Sequence, residues 1–524
     1  MTRVVTAADT ALLLEAADLD ESMRLLPRLR EAALPGVIEL VPAARTVLVR
    51  FDPRAVKASD LAERLLAIEP AAERTASDAA VTIPVRYDGQ DLDEVAALLG
   101  VSAEEVVARH QAAAWSVAFT GYAPGFGYLV GDDALFQVPR RSSPRTRIPA
   151  GSVGLAGAFS GVYPRESPGG WQLIGRTDAR MWDLGREPAA LLAPGTAVRF
   201  ERVERELVEA APAERPAVDS AHALEVVRPG LQLLVQDLGR PGMAATGVSA
   251  SGTADRTALR AANRAVGNAP GAAALELAGG GAVLRARGPA VVAIAGGTVE
   301  ATVEGPAGTA AVVHGAPVAL DDGDELRIGA ITAGLRALVA VRGGIALEPA
   351  LGSLATDTLA DLGPEPLAAG DVVPLHGPAA APHAVEPVPE PLASPPAPGQ
   401  EVRLRIVLGP RSDWFTPAAL EALTGQAWLV TPRSDRVGVR LEGAPLERAR
   451  DGELPSEGAV TGAIQVPPDG QPVLFLPDHP LTGGYPIVGA VVDADLDLAG
   501  QLPPGARIRF VLADDHLIDL GASA

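Results

Sequence analysis

The chain has 524 residues, 48% hydrophobic and 21% charged, with a formal net charge of −21 and no cysteine. This length predicts three or four domains, and the negative charge argues against nucleic acid or an anionic membrane as partner. The lack of cysteine excludes thiol catalysis, thiolate metal sites and disulfides.

Residues 1–80 are predicted to form a small α+β domain. The helical periodicity of DESMRLLPRLREAAL and ASDLAERLLAI is interleaved with the strand-like segments GVIELV and TVLVRFD. The first residues are acidic where a signal peptide is basic, and no uninterrupted apolar run reaches about twenty residues. We therefore expect a cytoplasmic protein without a transmembrane helix.

The next region, residues 81–203, is predicted to be a β domain that begins with the strand VTIPVRY. A helix follows in VSAEEVVARHQAA, where Ser102 and Glu105 have the spacing of a capping box. From residue 115 onward, short apolar runs alternate with Gly and Pro, a pattern typical of β structure. Residues 204–222 are acidic and contain proline, which indicates a linker.

The remainder is predicted as a β-rich domain over 223–376, a Pro/Ala-rich linker over 377–401 and a second β domain over 402–524. The first of these contains one clear helix, DRTALRAANRAVG. The second begins with a helix that Thr416 can cap, Pro417 can open and Gly425 can end. The predicted fold is therefore mainly β, with an α+β amino-terminal domain.

A repeated signature links the two β domains. SPGGWQLIG at 167–175 matches LTGGYPIVG at 481–489, and APGTAVRF at 193–200 matches PPGARIRF at 503–510. Glycine-containing segments, RIPAGSVGLAG and ELPSEGAVTGAIQVP, precede the two Gly-Gly pairs in the same order. These matches predict two related, closed, barrel-like units.

Ten of the 19 aromatic residues fall between Trp115 and Trp182. They either fill a barrel core or form the walls of a pocket, and both interpretations can hold together. Tyr122, Phe126 and Trp171 are candidate pocket walls. PRTRIPAGSVG would add the polar groups of Arg147 and Ser152.

The segment LVQDLGRPG places Gln236, Asp237 and Arg240 in a loop after a strand. Asp237 and Arg240 either contact substrate or pair with each other. Asn263 is a further binding candidate, because asparagine is a poor helix former in the middle of a helix.

Two arginines of TPRSDRVGVRLEG are candidates for binding an anion such as a carboxylate or phosphate. Strand alternation would send Arg436 and Arg440 to one face. A solvated strand face is the alternative interpretation.

The carboxyl-terminal segments LPSEGAVTGAIQVP and PDHPLTGGYP supply further candidates. Asp478 or Glu457 could act as a general base if burial raised its pKa. Gln465, Thr482 and Tyr485 could contact substrate. The scattered histidines and carboxylates match no metal-ligand spacing, so we expect no metal site.

Lys57 is the only lysine of the chain. A phosphate-binding loop ending in Gly-Lys-Ser/Thr is therefore impossible, and Lys57 does not fit a biotin-attachment hairpin. If the reaction uses ATP or biotin, we expect another chain to supply that part, and no biotin attached to this one.

The motifs resemble those of one enzyme family. Residues 82–200, with GYAPGFGYL, PRTRIPAGSVGLAG and SPGGWQLIGRT, resemble the B subunit of bacterial ATP-dependent 5-oxoprolinase, also described as allophanate hydrolase subunit 1. Residues 223–376 and 402–512, with GLQLLVQDLGRPG, RSDRVGVRLEG and LPSEGAVTGAIQVPPDGQPV, resemble the C subunit of the same enzyme. The chain thus resembles a B–C fusion. Similar modules form the carboxyltransferase part of urea carboxylase and urea amidolyase, so the resemblance implies several cyclophilin-like barrels.

The resemblance implies ATP-dependent hydrolysis of 5-oxo-L-proline to L-glutamate together with a separate A subunit of 5-oxoprolinase, in an oligomeric assembly. Arg147, Arg436 and Arg440 would then stabilise the charge that develops on the activated lactam. Two alternatives remain open: the carboxyltransferase component of a biotin-dependent, urea-carboxylase-like enzyme, and a non-enzymatic module that inhibits a histidine kinase. A neighbouring gene for the A subunit would favour the first function, and one for a biotin carboxylase the second.

Overall fold

The computed structural model describes residues 3–73, 80–141, 143–205, 220, 222–386, 388, 392–452 and 454–513. Most of the linker predicted at 204–222, parts of 377–401 and the end of 402–524 lie outside the described residues. Within them the chain is mainly β, as predicted. No helix among them is long and apolar enough to cross a membrane.

Residues 3–73 form an antiparallel four-stranded sheet with two helices. Alternating residues of its strands face opposite ways: Leu12 and Leu14 pack under the helices, whereas Leu13 packs against the carboxyl-terminal barrel. Burial on both faces explains why ALLL, residues 11–14, is a continuous apolar run. The strands in sheet order are Arg3–Ala8, Ala11–Glu15, Thr46–Phe51 and Val37–Pro42, and the helices are Leu19–Ala32 and Ala58–Leu66.

Residues 81–202 contain a seven-stranded sheet. Its strands Val81–Val85 and Ala197–Arg202 are neighbours and run parallel. A bridge between Arg86 and Arg176 joins its two edges. In sheet order the strands are Val81–Val85, Ala197–Arg202, Trp115–Thr120, Gly127–Val130, Phe159–Val162, Ser152–Ala156 and Gln172–Arg176. Two helices, Leu92–Leu99 and Ala103–Ala112, and a short pair of strands, Arg145–Ile148 with Ser167–Gly169, complete this first barrel.

The central region is a nine-stranded sheet that includes two long strands, Ala290–Gly305 and Glu325–Val341. The helix Arg256–Ala265 packs on both of them, as its apolar face requires. The other strands are Ala223–Arg228, Gln232–Gln236, Ala274–Ala278, Val283–Arg287, Gly308–Ala311, Val318–Leu320 and Val372–Pro374. Short 3₁₀ turns lie at Ala244–Thr246 and Pro378–Ala380.

The carboxyl-terminal region is a closed seven-stranded barrel. In sheet order its strands are Glu401–Leu408, Arg507–Leu512, Trp428–Val430, Gly438–Glu442, Val473–Phe475, Ala463–Gln465 and Ile487–Val491. Its helices are Pro417–Gly425 and Leu496–Gly500, its 3₁₀ turns are Ser412–Trp414 and Asp493–Asp495, and its short strand pair is Glu457–Gly458 with Thr482–Gly483.

The two barrels have the same topology. Taken in chain order, their seven strands follow one spatial order, 1-7-2-3-5-4-6, and strands 1 and 7 are parallel in both. In each, the helix before the second strand ends near a tryptophan whose indole donates to the carbonyl five residues earlier: Trp115 to His110 (2.8 Å) and Trp428 to Leu423 (3.0 Å). This correspondence agrees with the repeat seen in the sequence.

The helix signals were reliable where caps were present. Ser102 accepts from the Glu105 amide at 3.1 Å and Thr416 from the Ala419 amide at 3.2 Å, as predicted. The helix Leu92–Leu99 was not predicted; its cap residue Asp91 makes no capping hydrogen bond and accepts instead from Arg145 at 2.6 Å. Its left-handed Gly100 was the available signal for its end.

Candidate functional site

The two Gly-Gly turns meet. Gly169 and Gly170 from the first barrel and Gly483 and Gly484 from the second line one cavity of about 160 Å³. We call this cavity the two-barrel pocket. Its other lining residues are Tyr122, Phe126, Tyr128, Arg140, Tyr163, Trp171, Ser456 and Thr482.

The walls of the two-barrel pocket are a rigid set of aromatic rings. Phe126 lies edge-to-face with Trp171 at 5.3 Å, with Tyr163 at 5.4 Å and with Tyr122 at 5.1 Å between ring centroids. Edge-to-face contacts of this kind stabilise one arrangement of the rings. Both interpretations of the aromatic segment therefore hold: the rings pack together as a core and form the walls of a pocket.

Close packing explains the glycines. A Cβ on Gly169 would lie 2.5 Å from the Tyr163 hydroxyl oxygen, and one on Gly483 would lie 2.7 Å from Nε2 of Gln465. Gly170 is different, since its Cβ would meet nothing nearer than 3.8 Å. Gly169 is thus required by its neighbours, whereas the contact at Gly483 is with the end of a flexible side chain that can move aside.

The polar groups of the two-barrel pocket are donors rather than carboxylates. Arg140 is exposed at its edge, and no carboxylate of the described residues pairs with it. Burial raises the pKa of Tyr128 to about 12, although a hydrogen bond with Ser456 opposes the shift, so its hydroxyl stays protonated at neutral pH. The buried Thr482 hydroxyl has no hydrogen-bond partner among the described residues.

Four of the predicted site residues line this pocket: Tyr122, Phe126, Trp171 and Thr482. Gln465 lies directly behind Gly483 and donates to the Tyr485 carbonyl at 3.4 Å.

Asp478 and Arg436 lie elsewhere, fully buried between the central sheet and the second barrel. Asp478 accepts from Ser251 Oγ (2.7 Å), Thr358 Oγ1 (2.7 Å) and Arg436 Nε (3.0 Å), and Arg436 also pairs with Glu276. Burial alone would raise the pKa of Asp478, but the Arg436 charge and the hydrogen bonds hold its pKa below the usual value. A carboxylate with both oxygens engaged and a low pKa is a poor general base.

Glu457 is also engaged in a buried ion pair. Its carboxylate accepts from Arg411 Nε at 2.8 Å, and burial raises the pKa of Glu457 against the opposing effect of Arg411. The neighbouring Ser456 faces the two-barrel pocket, whereas Glu457 faces a different cavity that adjoins the amino-terminal sheet.

The two exposed arginines are not at the pocket. Arg147 has a side chain that is 75% exposed and pairs with Glu166 at 2.5 Å. Arg440 is exposed while Arg436 is buried, so the expectation that they share one face is wrong. The strand begins only at Gly438, and alternation therefore does not extend back to Arg436.

Five of the six remaining predicted residues brace the backbone, and the sixth, Tyr485, is 46% exposed and outside the pocket lining. Gln236 donates to the Thr356 carbonyl at 2.7 Å, Asp237 accepts from Ser353 Oγ at 2.6 Å, and Asn263 donates to the Ala272 carbonyl at 2.7 Å. Arg240 and Ser152 likewise donate to carbonyl oxygens, of Ala355 and Pro149. Asp237 and Arg240 contact the same 350–355 segment rather than each other.

Two family models match the chain. One, the carboxyltransferase domain, subdomain C and D, matches residues 2–192, and the other, the carboxyltransferase domain, subdomain A and B, matches residues 246–512. The chain belongs to the carboxyltransferase-domain family.

Relatives of this carboxyltransferase-domain protein carry two kinds of name. The 5-oxoprolinase B subunit of Bacillus subtilis is 39% identical over 192 residues, 33% of this chain and 79% of that protein. The 5-oxoprolinase C subunit of Escherichia coli is 33% identical over 291 residues, 55% of this chain and 90% of that protein. Urea amidolyase of Lachancea kluyveri is 34% identical over 314 residues, 55% of this chain and 17% of that protein.

One solved structure is similar over almost the whole carboxyltransferase-domain chain. The crystal structure of TTHA0988 superimposes with a TM-score of 0.83 at 37% identity, covering 98% of this chain and 100% of that one. The arrangement of both barrels, the central sheet and the amino-terminal unit in one chain is thus found in a second protein.

Four residues of the pocket lining are not among the predicted site residues: Arg140, Tyr128, Tyr163 and Ser456. Tyr128 and Tyr163 belong to the aromatic segment and could have been included with its other members. Ser456 lies one residue before the selected Glu457 and immediately before the short strand Glu457–Gly458, and only the structure shows that it lines the pocket. Arg140 lies in the arginine-rich run PRRSSPRTR, where nothing in the sequence distinguishes it from Arg147.

Proposed function

We propose that this chain is the B–C component of an ATP-dependent 5-oxoprolinase, which hydrolyses 5-oxo-L-proline to L-glutamate together with a separate A subunit. The observation that supports the proposal most directly is the two-barrel pocket, which is built by both halves of the chain. At its edge lies Arg140, which pairs with no carboxylate among the described residues. The relatives named as B and C subunits of 5-oxoprolinase support it.

The chemistry of 5-oxoproline matches the pocket. Its volume of about 160 Å³ is close to that of an engineered cavity of ~150 Å³ that binds benzene, so only a small molecule fits. The lactam ring would lie against Phe126 and Trp171, and the substrate carboxylate would accept from Arg140. Hydroxyls of Tyr128 and Thr482 would donate to the lactam oxygen as negative charge develops on it.

No carboxylate lines the two-barrel pocket among the described residues. We therefore infer that the pocket binds and orients the lactam, whereas the ATP-dependent activation and the proton transfer require the assembly with the A subunit. This division agrees with a chain that has one lysine and no phosphate-binding loop.

The test measures glutamate release from 5-oxoproline and ATP by the purified chain mixed with its A subunit. Replacing Arg140→Gln removes one charged hydrogen bond worth ~1.5–3 kcal/mol and should raise KM for 5-oxoproline by ~10–150-fold. Arg199→Gln, an exposed arginine on a strand of the same barrel, is the matched control and should leave KM unchanged. No glutamate release by the unaltered pair of proteins would contradict the proposal.

A second candidate is the carboxyltransferase component of a biotin-dependent, urea-carboxylase-like enzyme, favoured by the similarity to urea amidolyase over 55% of the chain. Urea is neutral and offers no carboxylate to Arg140. Transfer of a carboxyl group from carboxybiotin to urea, with an Arg140→Gln variant as active as the unaltered chain, would support this candidate over the first.

A further inference from the structure

A second polar cavity lies where the amino-terminal sheet meets the second barrel. Its volume is about 340 Å³, within the range typical of ligand pockets (~300–1,000 Å³). We call it the arginine pocket. Its charged lining residues are Arg3, Glu15 and Arg45 on one side and Arg411, Arg450 and Glu457 on the other.

Arg411 holds the two sides together. Its side chain is 8% exposed, and it pairs with Glu15 across the interface and with Glu457 on its own barrel. Arg3 also pairs with Glu15. Both lining glutamates are therefore already engaged by guanidinium groups and leave little negative charge to repel an anion.

The other guanidinium groups can turn toward a ligand. Arg45 donates to the Ala17 carbonyl and pairs with no carboxylate of the described residues. Arg3 and Arg450 have side chains that are 53% and 55% exposed, and Arg450 pairs with Asp413 at the rim at 2.7 Å. The lining thus has four arginines against two glutamates among the described residues.

Trp414 adds an aromatic wall to the arginine pocket. It is half-buried, and it lies three residues after Arg411 in the 3₁₀ turn Ser412–Trp414. Guanidinium groups recognise phosphate oxygens in bidentate geometry, and a planar ring can stack on an indole.

We propose that the arginine pocket binds a phosphate-bearing anion, with Arg45 and Arg450 donating to phosphate oxygens beside the fixed Arg411. The anion is either free phosphate or the phosphate chain of a nucleotide whose base stacks on Trp414. The site is separate from the two-barrel pocket, and its existence does not depend on the function proposed above.

The two cavities share a wall. Ser456 lines the two-barrel pocket, Glu457 lines the arginine pocket, and the Ala44 amide donates to the Ser456 carbonyl at 3.0 Å, fixing this wall to the amino-terminal sheet. An anion bound on one side therefore lies next to the backbone segment that forms the other pocket.

The experiment is calorimetric titration of the full chain with pyrophosphate and, separately, with ATP. Arg45→Gln should weaken binding of both by at least about tenfold, because one charged donor is lost. Arg54→Gln is the matched control: its side chain is 90% exposed and pairs with Asp52 at 2.9 Å, outside the pocket lining. It should bind both ligands as the unaltered chain does.

A second substitution identifies the source of the phosphate. If Trp414→Leu weakens ATP binding and leaves pyrophosphate binding unchanged, the ligand is a nucleotide. If it changes neither, the ligand is free phosphate. Arg450→Gln repeats the arginine test at the rim, should Arg45→Gln fail to fold. The absence of binding heat with both ligands at millimolar concentration, or unaltered affinity in both arginine variants, would overturn the proposal.

Discussion

Replacing Asp478→Asn tests whether this carboxylate stabilises the fold or takes part in the reaction. Asp478 accepts from Ser251 and Thr358 of the central region and from Arg436 of its own barrel. An asparagine keeps one acceptor oxygen, but an NH₂ group replaces the other oxygen. That NH₂ group would face the donors from which the lost oxygen accepted. Arg436 would then retain Glu276 but lose its second negative partner.

Removing one partner of a buried ion pair costs ~3–5 kcal/mol, and we expect a loss of this size for Asp478→Asn. Asp493→Asn is the matched control, because Asp493 also pairs with an arginine of the central region, Arg256, at 2.8 Å, but its side chain is 49% exposed. An exposed pair contributes up to about 1 kcal/mol, so this variant should lose much less stability.

The assay is urea unfolding followed by tryptophan fluorescence, in which the buried Trp428 reports on the second barrel. The Asp478→Asn midpoint should fall well below that of Asp493→Asn. If both variants unfold at the same urea concentration, and Asp478→Asn nevertheless abolishes turnover in the presence of the A subunit, Asp478 acts in the reaction and the structural interpretation is refuted.

Three further predictions follow from contacts described above. Gly169→Ala should destabilise the first barrel or distort the pocket, because its Cβ would lie 2.5 Å from the Tyr163 hydroxyl, whereas Gly170→Ala should be nearly neutral in a thermal unfolding assay; equal effects would contradict the packing argument. Burial lowers the pKa of His110 to about 3, so the unfolded chain binds a proton more readily than the folded chain does. The free energy of unfolding should therefore fall by ~1.4 kcal/mol for each pH unit below about pH 6.5, the ordinary pKa of histidine. His110→Gln should remove about 2 kcal/mol of the loss between pH 6.5 and 5 in urea titrations, and an unchanged loss would show that His110 is not responsible. In the 5-oxoprolinase reaction proposed above, Arg147→Gln should leave kcat and KM unchanged, since Arg147 pairs with Glu166 at the surface; a large fall in kcat would restore its predicted catalytic role.

Local features of the fold could be predicted because their causes are local. The caps Ser102 and Thr416 act within three residues along the chain. The Gly-Gly pairs reveal the repeat, and Gly169 lies where a Cβ would collide with the Tyr163 side chain. Capping and close packing restrict a given position to a few residue types. Those residue types can be read directly in the sequence.

The role of Asp478 could not be predicted for the opposite reason. Its partners Ser251 and Thr358 lie 227 and 120 residues away along the chain. A lone Asp after a strand is equally consistent with a catalytic base and with a buried ion pair, and only the tertiary contacts distinguish them. Arg140 and Arg147 present the same difficulty, because only the tertiary structure shows that Arg140 lines the pocket and that Arg147 pairs with Glu166.

The division of the two-barrel pocket between distant parts of one chain has a consequence for dilution. A cavity shared by two separate polypeptides exists only while they are associated, so its occupancy by substrate falls with protein concentration as well as with substrate concentration. Here Trp171 of the first barrel and Thr482 of the second belong to one polypeptide, so both sides of the pocket stay together at any protein concentration. Binding of a small substrate to this chain should therefore give the same dissociation constant at nanomolar as at micromolar protein.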